Sequence, residues 1–307
     1  MPAKGVMMRI FITGATGLIG RALTEALIQR NHQIVAVSRN KIHAQSVLNG
    51  IVEIHQEDPT VPGDWQNLVK DCDAVINLAG EPIATGFWTK KRKRKIRQSR
   101  LFTTRNLANA IKESSTVKTF ISASSVAYYG KGGRSPLYEE HQSGGGYLSK
   151  VAYEWENCAT AVDNARVVTL RIGMVLAKNC DVLAKLMLPY KFFLGGPFGS
   201  GKQYIPWIHI DDVVAIVLEV LDNEVYEGPV NATAPDPPTM NEFAVAMGRA
   251  MGKPANFKTS ARIIKMFMGE KSELVLDSYR AVPKKLRANN FHFKFGPIGA
   301  GLDDVVE

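Results

Sequence analysis

The segment Phe11-Ile12-Thr13-Gly14-Ala15-Thr16-Gly17-Leu18-Ile19-Gly20 constrains the fold more than any other part of this 307-residue chain. It follows the apolar run Ile10 to Ile12 and opens an apolar-periodic stretch from Leu18 to Ile28, which predicts strand, glycine turn and helix. Gly14 lets the backbone turn sharply, Gly17 leaves no side chain where a pyrophosphate would approach, and Gly20 permits close packing of helix on strand. Free N–H groups and the positive dipole end at the start of such a helix hold an anion. A dinucleotide site is therefore expected here.

Strand-like and helix-like segments alternate through the first 170 or so residues, as a doubly wound parallel sheet requires. Strands are expected at Arg9–Thr13, Gln33–Ser38, Val52–His55, Ala74–Leu78, Thr119–Ala123 and Val167–Arg171. Helices are expected near 18–30, 41–49, 64–70, 90–112 and 148–162, then at 211–222 and 239–251. The fold class is α/β: a doubly wound parallel Rossmann sheet with a smaller, mostly helical C-terminal substrate lobe. The nucleotide-binding domain is expected over 1–175, with sheet-completing returns from 203–232, and the lobe over 176–307. The loop Gly195 to Gly201 lacks P-loop spacing, since Gln203 follows Lys202, and reads as a flexible lip over the substrate pocket.

No apolar run approaches the ~20 residues that span a bilayer, and Met1 to Met8 lacks the apolar core of a secretory signal. Cys72, Cys158 and Cys180 are odd in number and widely spaced, which indicates neither a disulfide framework nor a zinc site, so the cytoplasm is expected. No His/Asp/Glu spacing suggests a metal. The net charge of +9 suits anionic ligands, and much of it sits in the six basic residues Lys90 to Lys95. Only Trp88 and Phe102 lie near that run, so it reads as a solvated helix face and nucleic-acid binding is not expected.

An NAD-specific site usually ends its second strand in an acidic residue that binds the ribose 2′-hydroxyl. This chain has Val37-Ser38-Arg39-Asn40 there, and an arginine with a hydroxyl suits a 2′-phosphate instead. NADP(H) is the expected cofactor. The fourth strand ends in Asn77-Leu78-Ala79-Gly80, whose small residues let backbone approach a ribose.

Together with Ser122-Ala123-Ser124-Ser125-Val126-Ala127-Tyr128-Tyr129-Gly130, these motifs resemble the extended short-chain dehydrogenase/reductase superfamily, also described as NAD-dependent epimerases and dehydratases. Ala79-Gly80-Glu81-Pro82-Ile83, Ser99-Arg100, Leu170 to Leu176, Leu194 to Pro197, Trp207 to Asp212 and Arg280 to Lys284 are similar to its atypical epimerase-like branch. That branch includes bacterial proteins named as sugar-nucleotide epimerases and a human relative. The resemblance implies NADP(H) contacts at Ser38, Arg39, Leu78, Ala79 and Arg100, and the full expected cofactor set adds Gly14, Thr16, Gly17, Leu18, Ile19, Gly20, Gly80, Lys150 and Ile172.

Superfamily chemistry uses a tyrosine as acid/base, a lysine four residues later that lowers its pKa, and a serine from the preceding strand. Ser125 fits the serine, but the helix reads Gly146-Tyr147-Leu148-Ser149-Lys150, a spacing of three. Tyr147 and Lys150 still share a helix face broadly, roughly a hundred degrees from the usual placement. The expected catalytic set is Ser125, Tyr147 and Lys150, with Tyr128 or Tyr129 as alternative proton donors. Glu81 reads first as a loop carboxylate, His209 as a buried structural histidine, and Asp211 or Asp212 as a helix cap. The expected function is an NADP(H)-dependent oxidoreductase or epimerase on a hydroxyl or carbonyl compound, nucleotide-sugar-like in one version, working as a monomer or homodimer. A catalytically silent NADPH-binding sensor is the alternative, and nucleic-acid binding through Lys90 to Lys95 a weaker third.

Overall fold

The computed structural model describes residues 7–48, 50, 52–178 and 180–306. The strands β1 (Arg9–Thr13), β2 (Gln33–Ser38), β3 (Val52–Gln56), β4 (Ala74–Asn77), β5 (Thr119–Ser125) and β6 (Arg166–Ile172) alternate with α1 (Leu18–Gln29), α2 (Lys41–Val47), α3 (Trp65–Lys70), α4 (Lys90–Lys112) and α5 (Tyr147–Ala159). Each expected strand and helix of this half is found, with ends shifted by a few residues; Asn49, expected in the second helix, lies outside the described residues. Beyond them come β7 (Met174–Leu176), α6 (Asp181–Lys191), β8 (Trp207–His209), α7 (Ile210–Asp222) and β9 (Gly228–Ala232). The tail adds α8 (Met240–Ala250), α9 (Ala261–Met268), α10 (Glu273–Leu276), α11 (Lys284–Ala288) and α12 (Ile298–Val306).

The main sheet runs β3-β2-β1-β4-β5-β6-β9, with every pairing parallel. Because strand side chains alternate in direction, Ile10, Ile12, Ile34 and Ala36 face α1 and α7, while Phe11, Val35 and Val37 face α3 and α4. Both faces are covered, which is why these strands read as continuous apolar runs. Strand order reverses between β1 and β4, and in open α/β sheets the carboxyl ends at that point form the ligand crevice.

β9 lies within 203–232, where sheet-completing returns are expected, although Gly-Pro-Val-Asn-Ala carries turn residues that blur its bounds. Pro229 is tolerated because β9 is an edge strand, with one side of its backbone unpaired. β7 and β8 pair in a separate two-stranded sheet. The helix α7 is capped by the His209 imidazole, which accepts from the Asp211 N–H at 3.2 Å; neither aspartate is the cap. Asp212 instead accepts from the backbone N–H groups of Lys294 and Phe295, at 2.7 and 3.0 Å, and so holds the tail.

A buried ion pair ties the carboxyl half of the sheet together. Arg171 on β6, 2% exposed, meets Glu156 on α5 through two bonds of 2.9 Å. Its remaining nitrogen donates to the Tyr129 hydroxyl at 2.9 Å and the Glu139 carbonyl at 3.0 Å. The Tyr129 hydroxyl donates in turn to Asn231 on β9, whose amide binds the Leu137 and Val282 carbonyls. Removing one partner of a buried pair leaves an uncompensated charge. Glu156→Ala is expected to lose about 3–5 kcal/mol of stability, read from urea unfolding curves; a loss below about 1 kcal/mol would show the pair to be dispensable.

Candidate functional site

The three glycines of the first turn differ in what demands them. A Cβ on Gly20 would lie 2.2 Å from the Gly14 carbonyl, and one on Gly14, whose φ is +76°, would lie 2.6 Å from the Leu78 backbone. Those two are required by the protein itself: Gly20 for the helix–strand approach, Gly14 for the contact with the end of β4. At Gly17 the nearest atom to a Cβ would be the Gly14 carbonyl at 3.3 Å, and the residue is exposed. The bare backbone there faces outward, which suits an anion approaching from solvent. Gly17 starts α1 without a side-chain cap and the first turn holds no acid, so the N–H groups of Leu18, Ile19 and Gly20 are left for a ligand. Thr16 sits half-buried beside them.

The neighbouring strand ends complete an anion-binding rim. Ser38 is half-buried and Arg39 exposed, with no carboxylate paired to Arg39 among the described residues. Asn40 caps α2 by accepting from the His43 N–H at 2.9 Å, which turns the chain away after Arg39. Buried Asn77 anchors the end of β4, accepting from Thr13 Oγ1 at 2.7 Å and donating to Thr104 Oγ1 at 2.7 Å and Ser122 Oγ at 3.2 Å. Leu78, Ala79 and Gly80 follow it directly. A Cβ on Gly80 would lie 3.0 Å from the Arg100 guanidinium carbon, so glycine makes room for that side chain. Arg100 donates to the Glu81 and Ile96 carbonyls at 3.0 Å each and lies over the Trp155 ring, yet no carboxylate pairs with it among the described residues. Burial pushes its pKa down to about 10. A cation held charged without a counter-ion is an anion receptor in waiting.

Next to this rim, a cleft of about 930 Å³ opens between the ends of β5 and β6 and the C-terminal segments. Ser125 and Ile172, register partners on β5 and β6, both line it. Tyr147 and Lys150 do not. The Tyr147 hydroxyl donates to the Lys93 carbonyl at 2.5 Å and its ring stands edge-on to Trp88, which makes it a fastener between α5 and α4. Burial pushes its pKa up. Lys150 is exposed, with no side-chain partner among the described residues. The expected Ser125–Tyr147–Lys150 set is therefore not assembled.

The reason is rotational. Glu156 is locked onto Arg171 and Ser124, so the inward face of α5 carries Leu148, Ala152 and Glu156 at intervals of four. Leu148 lines the cleft beside Ser125, and Ala152 is buried one turn along. The inward position of α5 that reaches the cleft is therefore an apolar leucine. Tyr129 is excluded as well, because it does not line the cleft and its hydroxyl donates to Asn231. Tyr128 stacks on the Arg171 guanidinium, 3.6 Å from ring centre.

Tyr279 does reach the cleft, next to Asp277. Burial raises both their pKa values, and each then acts on the other. Their segment is pinned: the Tyr279 N–H donates to the Tyr204 carbonyl, and Ser278 Oγ donates to the Gly133 carbonyl at 2.6 Å. Leu274, one turn earlier, packs with Ala127 and Leu148. Sequence reasoning missed this phenol, because nothing local marks a tyrosine over 150 residues from Ser125 as lining the same cleft.

The other candidates are structural. Burial pushes the Glu81 carboxyl up, but hydrogen bonds from Lys95 and Arg92 outweigh it, so Glu81 titrates below the usual range. His209 is buried, its ring tilted against Phe295 and 3.3 Å from Asp304, and burial pulls its pKa down. The Gly195–Gly201 loop is no loose lip: Phe257, Thr259 and Gly199 bond along it, and Phe198 lines the cleft.

The description "NAD dependent epimerase/dehydratase family" fits residues 10–232, and a domain of unknown function, DUF1731, fits residues 260–305. The chain belongs to the NAD dependent epimerase/dehydratase family. Among members, the chloroplastic SDR39U1 homolog of Arabidopsis thaliana is 34% identical over 99% of this chain and 88% of its own. The Bos taurus epimerase family protein SDR39U1 is 34% identical over 97% of this chain and 100% of its own. The crystal structure of human SDR39U1 with NADPH superposes with a TM-score of 0.85 at 30% identity, covering 97% of this chain and 99% of that one. The α/β fold with its parallel sheet and helical C-terminal part is thus that of the family, as the motifs implied.

The uncompensated guanidinium of Arg100 has a stability consequence. Its lowered pKa means the cost is fully present below pH ~10 and fades only towards the ordinary arginine value. At pH 7, Arg100→Met is expected to raise the melting temperature of the ligand-free protein by about 2 °C, measured by scanning calorimetry. A fall of that size would mean that its carbonyl and Trp155 contacts outweigh the buried charge.

Proposed function

We propose that this family member binds NADP(H) and acts as an oxidoreductase on a hydroxyl or carbonyl compound held in the cleft. The observation that carries it is the anion rim: free N–H groups at α1, an unpaired Arg39 beside Ser38, and an uncompensated Arg100. The pyrophosphate would rest on Gly17, Leu18, Ile19 and Gly20, with Gly14 and Thr16 shaping the turn. Ser38 and Arg39 would take the 2′-phosphate, and Leu78, Ala79 and Gly80 would run along a ribose. Ile172 would flank the nicotinamide, and Arg100 an anionic part of the cofactor. That human SDR39U1 was crystallised with NADPH supports this assignment.

Bound NADPH supplies a hydride to a carbonyl carbon. Ser125 Oγ would hold the substrate oxygen, and the Tyr279 phenol on the same cleft would give it a proton. Lys150, exposed on the outer face of α5, has no part in this arrangement. The free thiols of Cys72, Cys158 and Cys180 suit a reducing compartment such as the cytoplasm. One observation favours a second version, an NADPH-binding sensor without turnover: the residue of α5 that lines the cleft is Leu148, which has no proton to give.

Arg39→Ala is expected to weaken NADPH binding by about tenfold, the value of one charge-assisted contact, and to leave NADH unchanged. A fluorescence titration at fixed ionic strength reads both, and equal affinity in wild type would remove the 2′-phosphate assignment. With a carbonyl panel, Tyr279→Phe is expected to lower kcat by about a hundredfold or more with unchanged NADPH affinity. Tyr147→Phe and Lys150→Ala should stay near wild type. Wild-type binding of NADPH with no turnover on any panel member would favour the sensor.

A further inference from the structure

The oxidoreductase reading leaves the class of substrate open, and the walls of the cleft narrow it. Met174, Leu186, Phe198, Phe243, Met268 and Leu274 converge from β7, α6, the glycine loop, α8, α9 and α10. Such a surface accepts apolar groups of varied shape, because methionine adapts its packing. About 930 Å³ is room for a drug-sized molecule.

A nucleoside diphosphate would need at least two cations or a row of free N–H groups at the substrate end. Three cations line the cleft. Arg21 sits on α1, on the cofactor side, and also borders a second groove beside Val47 and Ile210. The Lys271 ammonium is already donated to the Ala84 and Gly86 carbonyls, at 3.3 and 3.2 Å. That leaves Lys185, exposed on α6, with Asp181 four residues earlier on the same lining face. The diphosphate's charge has no adequate partner. Uncharged or acidic hydrogen-bonding side chains are few: Ser125, Cys180 and Asp181, with Tyr204, Asp277 and Tyr279 on backbone segments bonded to each other.

We propose that the cleft takes an uncharged, largely apolar carbonyl or hydroxyl compound, its oxygen at Ser125 and Tyr279 and its apolar body against the methionine-rich wall. A nucleotide-linked sugar is not its ligand. This inference rests on the NADP(H) reading only for the orientation of the oxygen; the character of the wall is independent of it.

The test uses the full chain with Nile red, a neutral dye that fluoresces in apolar surroundings, and with UDP-glucose and UDP as competitors. NADPH binding is titrated in parallel. Nile red is expected to bind saturably, and Leu186→Glu and Met268→Glu, both at partly exposed positions, should weaken it by about tenfold while NADPH affinity holds within twofold. Millimolar UDP-glucose or UDP should not displace the dye. Displacement by either at micromolar concentration, absence of dye binding, or dye binding indifferent to both variants would each overturn the proposal. If the dye binds as expected and NADPH does not, the cofactor reading falls and the apolar cleft stands.

Discussion

The two-point contact between Arg171 and Glu156 sets the geometry on which the substrate end depends. A guanidinium 2% exposed on β6 must have its charge met, and α5 is the element that meets it. The fork geometry admits one rotation of α5 about its axis. That rotation turns Leu148 and Ala152 inward, sends Tyr147 to Lys93 and Trp88, and leaves Lys150 in solvent. Through Tyr129 and Asn231 the same network reaches β9 and the Val282 carbonyl, so the tail that carries Tyr279 is located by it too.

Two ends of one crevice have opposite chemistry. At β1, β2 and β4 the groups on offer are N–H donors and guanidinium groups without carboxylate partners among the described residues, which suits an anion. Past β5 and β6 the walls are sulfur, aromatic ring and alkyl. The basic run Lys90 to Lys95 belongs to neither end: Arg92 and Lys95 hold Glu81, and Lys93 pairs with Glu270, so part of it fastens α4 to the β4 loop and to the tail.

The first half of the fold was legible because strands buried on both faces need continuous apolar residues and the helices between them need a periodic stripe. Gly14, Gly17 and Gly20 were legible because the turn they make has few other solutions. For β9 only a sheet-completing return somewhere in 203–232 was legible; its bounds were not, since Gly228 and Pro229 look like a turn and the unpaired sheet edge makes them a strand. The cap of α7 was misjudged because aspartates at the first helical positions usually outrank a histidine before them, whereas the tail recruits Asp212.

The sequence by itself determined the sheet, the glycine turn and the absence of an acid after β2, because each is a local matter of periodicity, backbone freedom or charge. Tertiary structure decided which side chains face the cleft. A spacing of three between Tyr147 and Lys150 left the rotation of α5 open, and only a buried charge on another strand closed it. The placing of Tyr279 on the same cleft as Ser125 was likewise decided there, because approaches across that length of chain follow from packing and leave no local mark.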